Sequence, residues 1–185
     1  MDLITIERIQ KAHPILRATL LEQYKKANNL LGKNVRLRFS YVLRTFQEQN
    51  HLYALGRTEI NPDGKSKSKP LGNIVTNSKG GQSIHNYGLA FDIVLLIDKN
   101  NDGIFETATW DTLKDFDGDK VSDWMEVVNY FKSQGWEWGG DWKSFKDTPH
   151  FQFDFGFTWK DLKERVDAGK TITDNGIVYP ILKSV

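Results

Sequence analysis

The chain contains no cysteine. Disulfides and thiolate metal ligands are therefore excluded, and a bound transition metal has to be held by His, Asp or Glu. The same lack leaves the redox compartment open. Histidine is scarce, with four residues in 185, so two of them inside strongly patterned stretches carry weight. Neither sign of charge is in excess. The 25 basic and 24 acidic residues leave a formal net charge of +1, which exerts no global pull toward nucleic acid or an anionic membrane. No apolar run reaches the ~20 residues needed to span a bilayer. The start, MDLITIERIQKAHP, lacks the basic-then-apolar form of a secretory signal. The expectation is a chain that is intracellular, exported by another route, or a mature form. Internal repeats and low-complexity linkers are also missing.

What remains is 39% hydrophobic residues, enough for a packed core. We expect one α+β domain over residues 1–185, with its motifs in 35–155 and an acidic insertion at 98–123. From Thr5 to Leu31 apolar residues recur near helical period (Ile6, Ile9, Leu16, Leu20, Tyr24), with Pro14 positioned to break the helix. Val35 to Leu43 alternates as a strand. Thr45 caps a following helix with Glu48 as its capping-box partner. The polar stretch from Arg57 to Gln82 reads as a long loop, and its lysine run at 65–69 as solvated surface. Leu89 to Ile97 is a near-continuous apolar run broken by Asp92, which predicts a central strand buried on both faces. Trp124 to Gln134 reads as a helix closed by Gly135, Trp136 to Trp142 as a turn region, and Phe151 to Phe155 as a strand. Trp159 to Gly169 reads as a polar helix, and Asp174-Asn175-Gly176 as a hairpin turn.

Chemistry concentrates in two stretches, SIHNYGLAFD (Ser83 to Asp92) and DTPHFQF (Asp147 to Phe153). His85 and Asp92 are seven residues apart. In one straight strand an odd separation puts side chains on opposite faces. They converge on one ion only if the chain turns between them, and Gly88 permits that turn. His150 then has to arrive on a neighbouring strand beginning after Pro149. Two imidazoles and one carboxylate leave a tetrahedral zinc with one open position for water. The ion lowers the pKa of that water to about 7 and makes it a nucleophile. Asp147 is the candidate general base. Arg44, at the end of a strand, is the candidate donor to the developing oxyanion. His13 and His51 lie in helical, polar contexts and are expected to have no metal role.

SIHNYGLAFD, WEWGGDWKSFKDTPHFQF and the upstream LRTFQEQNHLYALGR resemble the zinc D-Ala-D-Ala carboxypeptidase and L-alanyl-D-glutamate peptidase family, in its endolysin-like branch. That family sits in the wider group that includes lysostaphin-type enzymes and the hedgehog signalling domain. The resemblance covers about Val35 to Phe153. It implies a small antiparallel central sheet flanked by helices and one zinc ion on His85, Asp92 and His150. Asp147 matches the catalytic carboxylate, and Arg44 the arginine that binds the scissile carbonyl. Ser83 matches a supporting residue, and Trp138 and Asp141 match a segment that shapes the pocket. The implied partner is a peptidoglycan stem peptide, cut by a monomer at the cell wall, with the L-Ala-D-Glu bond favoured over D-Ala-D-Ala. A different class is a non-catalytic cell-wall or partner-binding domain that keeps the zinc fold. Asp147 and Arg44 argue for catalysis. Carboxypeptidase action requires a group for the substrate's terminal carboxylate, and no residue identifies itself for that task.

Within the insertion, DFDGDKVSDWME places Asp115, Asp117, Asp119, Asp123 and Glu126 at positions 1, 3, 5, 9 and 12 of a calcium loop, with Lys120 where such loops have Gly. DKNNDGIFETAT, from Asp98, has Gly103 at position 6 but Thr109 in place of the final Glu. The competing reading is a pair of Asx turns that satisfy local backbone. Calcium is thus a second candidate ion.

Overall fold

The computed structural model describes residues 1–57 and 73–182. The lysine run at 65–69 lies outside them. In chain order the elements are α1 (Leu3–Ile9), α2 (Arg17–Leu30), β1 (Val35–Tyr41), α3 (Phe46–Ala54), β2 (Ala90–Ile97), β3 (Thr107–Thr109), α4 (Asp123–Ser133), β4 (Glu137–Trp138), β5 (His150–Gln152), α5 (Trp159–Asp167), β6 (Thr171–Asp174) and β7 (Ile177–Pro180), with 3-10 turns at Ile84–Tyr87 and Gly139–Asp141. Two compact units divide the chain: Met1–Leu43 with Gly88–Asp154, and Arg44–Tyr87 with Phe155–Val185. No described helix is long and apolar enough to cross a membrane.

The first unit is built on an antiparallel sheet of order β1-β2-β5-β4, with β3 also paired to β2. The helical region at the N-terminus separates into α1 and α2 around Pro14, which disfavours helix at the residue before it. Asp2 caps α1, its carboxylate accepting from the Thr5 amide at 3.0 Å and the Thr5 hydroxyl at 2.7 Å. Val35, Leu37 and Phe39 turn inward along β1, as the alternation predicts. β2 is the central strand. β1 covers one edge, while β5 and β3 share the other, β5 against residues 90–92 and β3 against residues 95–97. β3 and β4 fall in stretches expected to be turns. Both are too short for a hydrophobic period to show, and sheet pairing alone makes them strands.

One face of this sheet carries an aromatic stack. Phe39 lies on Phe91 with ring centres 4.2 Å apart, and Phe91 lies on Phe151 at 5.1 Å. Phe131 of α4 meets Phe91 edge-on at 4.8 Å, and Trp136 does so at 4.7 Å. Phe91 pairs with Phe151, and Asp92 with His150. Successive strand residues face opposite ways. Burying the two phenylalanines therefore presents Asp92 and His150 together on the other face.

In the second unit α3 opens with the expected capping box between Thr45 and Glu48. α5 has a second box between Thr158 and Asp161 and buries Leu162. Phe46 meets Tyr87 edge-on at 6.0 Å, and the Tyr87 hydroxyl donates to the Gly81 carbonyl at 2.7 Å. β6 and β7 form a hairpin through Asn175 (φ 50°) and Gly176 (φ 76°), the left-handed pair that a tight hairpin turn requires.

Candidate metal centre

The register of β2 against β5 brings His150 Nδ1 to 3.3 Å from Asp92 Oδ1. Two donors at about 2.0–2.1 Å from one tetrahedral zinc stand about 3.3–3.4 Å apart, so this separation fits a shared ion. His150 is 5% exposed. Burial works against a charged imidazole here, but the Asp92 carboxylate outweighs it, with Gln152 and the charge of Asp147 adding to it. His150 accordingly titrates above its ordinary value.

The other side of the ring decides which nitrogen faces Asp92. His150 Nε2 lies 3.0 Å from Gln152 Oε1, and Gln152 Nε2 donates to Glu137 Oε2 at 3.0 Å. An ionised carboxylate only accepts, so the amide nitrogen of Gln152 must face Glu137. Its oxygen then faces the imidazole and takes the Nε2 proton. That leaves the Nδ1 lone pair directed toward Asp92. This carboxylate–amide–imidazole chain is the kind of outer support that orients a metal-binding histidine.

His85 belongs to the 3-10 turn Ile84–Tyr87 and is 2% exposed. Its carbonyl accepts from the Arg44 amide at 3.1 Å. The Asn86 side chain donates to the Arg44 carbonyl at 2.8 Å and accepts from the amides of Gly81 at 2.9 Å and Ser83 at 3.3 Å. Ser83 thus serves the turn through its backbone. After the turn Gly88 adopts φ 69°, the left-handed conformation that the spacing argument asked of it. Asp92 and His150 stand on adjoining strands of the first unit, and His85 on the 3-10 turn of the second. His13 and His51 belong to no metal-capable group among the described residues.

Asp147 sits in the turn leading into β5. Its carbonyl accepts from the His150 amide at 3.1 Å, and its own amide donates to the Gly139 carbonyl at 3.1 Å. A side chain at Gly139 would overlap Asp147 and press on His150, so glycine is required for the close approach. Arg44 Nη1 donates to Gln49 Oε1 at 2.9 Å, and the buried Gln49 donates in turn to the Ser78 carbonyl at 2.7 Å. Trp138 donates to the Thr148 carbonyl at 2.7 Å, and its indole fills the space over Gly140. Asp141 is half exposed and pairs with Lys132 at 2.5 Å.

Sequence reasoning did not single out Gln152, Glu137, Gln49 or Trp142. The Trp142 ring lies 5.1 Å from the His150 ring, and its indole N–H donates to Glu137. Gln152 was open to discovery, because residues i and i+2 of a strand share a face and it follows His150 by two. Glu137 comes from β4, opposite Gln152, and Trp142 from the end of the 3-10 turn that follows, and nothing local marks them.

The acidic insertion divides in two. Asp98 is buried and accepts from the amides of Asp102 at 3.2 Å and Gly103 at 2.8 Å, which is the Asx-turn reading, and none of its loop belongs to a metal-capable group among the described residues. Asp115, Asp117, Asp119, Asp123 and Glu126 do form such groups.

The sequence pattern of the D-alanyl-D-alanine carboxypeptidase family matches residues 76–153. The chain is 40% identical over 140 residues to the peptidoglycan L-alanyl-D-glutamate endopeptidase CwlK of Bacillus subtilis, spanning 76% of this chain and 72% of that protein. It is 33% identical over 94 residues to the L-alanyl-D-glutamate peptidase of Listeria phage A118, spanning 49% of this chain and 28% of that one. The crystal structure of the Serratia marcescens L-Ala D-Glu endopeptidase ChiX superposes with a TM-score of 0.48 at 21% identity, over 84% of this chain and 90% of that one.

Proposed function

Because this chain belongs to the D-alanyl-D-alanine carboxypeptidase family and is a peptidase, we propose that it is a zinc endopeptidase that cuts the L-alanyl-D-glutamate bond of peptidoglycan stem peptides. The observation that carries the metal assignment is the 3.3 Å separation of Asp92 and His150, and His85 is the third donor of this reading. The donors are two nitrogens and one oxygen, a set that suits zinc and leaves a coordination position open. The choice of bond is supported by the names of the Bacillus and phage relatives.

A zinc ion in this group would supply Lewis acidity and a water of pKa about 7. Asp147 accepts the proton of the attacking water and delivers it to the departing amine nitrogen. Its position is supported by the backbone bond from the His150 amide to its carbonyl at 3.1 Å, which holds it beside that residue. Arg44 binds the scissile carbonyl oxygen and offsets the negative charge that builds there. Support comes from its backbone bonds to His85 and Asn86, which hold it beside a metal ligand. Gln152 keeps the His150 proton on Nε2. The site of action is the bacterial cell wall.

Digestion of purified peptidoglycan, with the new termini identified by mass spectrometry, tests the reading. New L-Ala carboxyl and D-Glu amino termini are expected. Release of free D-Ala would replace the endopeptidase with a carboxypeptidase, the activity that the family description names. No new termini from zinc-loaded protein would reject both.

A further inference from the structure

The loop from Asp115 to Glu126 gathers its carboxylates around a common point. Asp115, Asp117 and Asp119 each offer an oxygen, all within 4.8 Å of one another, and so do Asp117, Asp123 and Glu126. Asp117 is common to both groups. Oxygens bound at about 2.3–2.6 Å to one calcium ion lie at most about 4.6–5.2 Å apart, so both groups fit one coordination shell. Exposed carboxylates often cluster without an ion, but Asp123 is buried, and so is one oxygen of the half-buried Glu126. Asp123 is 0% exposed, its Oδ2 takes the Phe116 amide at 2.6 Å, and its Oδ1 has no hydrogen-bond partner among the described residues. Glu126 Oε2 is likewise buried with no hydrogen-bond partner among them. Bare carboxylate oxygens buried side by side are costly unless a cation or a proton joins them. Burial together with the facing carboxylates pushes Asp123 up to about 6 and Glu126 up to about 7.

The loop backbone is folded by the same kind of Asx bonds as the Asp98 loop. Asp115 accepts from the amides of Gly118 at 2.6 Å and Lys120 at 2.8 Å. Lys120 takes φ 78° at the sixth position, where calcium loops make a sharp turn and carry glycine. The loop is also tied to the segment between α2 and β1. The Gly32 amide donates to Asp117 at 2.7 Å, Asn34 donates to the Phe116 carbonyl at 2.7 Å, and a side chain at Gly32 would overlap Asp117.

We propose that residues 115–126 bind one calcium ion through the carboxylates of Asp115, Asp117, Asp119, Asp123 and Glu126 and the carbonyl of Val121, and that the ion fastens this loop to the α2–β1 segment. The test is calorimetric titration of the zinc-loaded full chain with calcium chloride, magnesium chloride as comparison, alongside thermal melting. One calcium per chain is expected. A rise in Tm of roughly 5–10 °C is expected at calcium one hundred times Kd. Glu126→Gln, and Asp119→Asn at an exposed position, should each weaken calcium at least tenfold while zinc content stays at one per chain. Asp119→Asn should melt like the wild type without calcium. Absence of calcium heat and of a melting shift in the wild type overturns the proposal, and so does unchanged affinity in both variants.

Discussion

Asp92 is a carboxylate in a strand otherwise apolar and buried. Without an ion its cost is offset by the protonated His150 ring, whose Nδ1 is 3.3 Å away, and with the ion by the metal. His150→Ala is therefore expected to abolish stoichiometric zinc in metal analysis, because a remaining His–Asp pair is too weak a donor set. Asp147 stands differently, since the role assigned to it is to move a proton and not to hold the ion. Asp147→Ala should keep zinc at one per chain and lower kcat by about 10²–10⁴-fold in a peptidoglycan turnover assay. Full turnover would remove Asp147 from its role.

At the level of elements, β5 is three residues long and carries both a proposed ligand, His150, and its support, Gln152. Gln152→Leu keeps the strand and deletes the acceptor of the His150 Nε2 proton. Zinc affinity should fall about 10–100-fold, measured by competition with a chromogenic chelator. Unchanged affinity would show that the ring is oriented by packing alone. The β2–β5 register depends on the stack of Phe39, Phe91 and Phe151 behind the site. Phe91→Ala should cost about 3–5 kcal/mol in urea denaturation and lower zinc affinity as well, because the same pairing sets both faces. The helix signals Thr45 and Glu48, Pro14 and the Asn175-Gly176 turn were legible because each acts through residues next to it in the chain. β3 and β4 were not, because pairing with distant strands creates them.

For the molecule as a whole, the start of α1 is tied to β1 by a charge pair. Asp2 and Arg38 pair at 2.7 Å, with the Asp2 side chain 5% exposed. Burial opposes the charge on Asp2, but the Arg38 guanidinium and the Thr5 hydroxyl and amide outweigh it, so its carboxyl titrates below the ordinary 3.8. A depressed folded pKa stabilises the protein at pH above 3.8, and that stabilisation is lost as pH falls through the folded value. Asp2→Asn should therefore lose about 1–3 kcal/mol at pH 7, with the gap to wild type narrowing below pH ~4. Urea melts at pH 7 and pH 3 measure it, and an equal gap at both would show that the loss lies in the cap and not in the charge.

The sequence by itself ruled out thiolate chemistry, nominated His85, Asp92 and His150 as donors, called for a turn at Gly88 and set the calcium spacing of residues 115–126. Each is a matter of residue type and separation along the chain, and strand parity or ligand count is enough to read it. Only tertiary structure decided the 3.3 Å approach of His150 to Asp92, the Gln152–Glu137 support behind it and the burial of Asp123. It also separated the two acidic loops, which look alike in sequence. Asp98 spends its oxygens on its own backbone, whereas Asp123 Oδ1 and Glu126 Oε2, in the first turn of α4, are buried with no hydrogen-bond partner among the described residues. Those differences depend on which distant segments pack together.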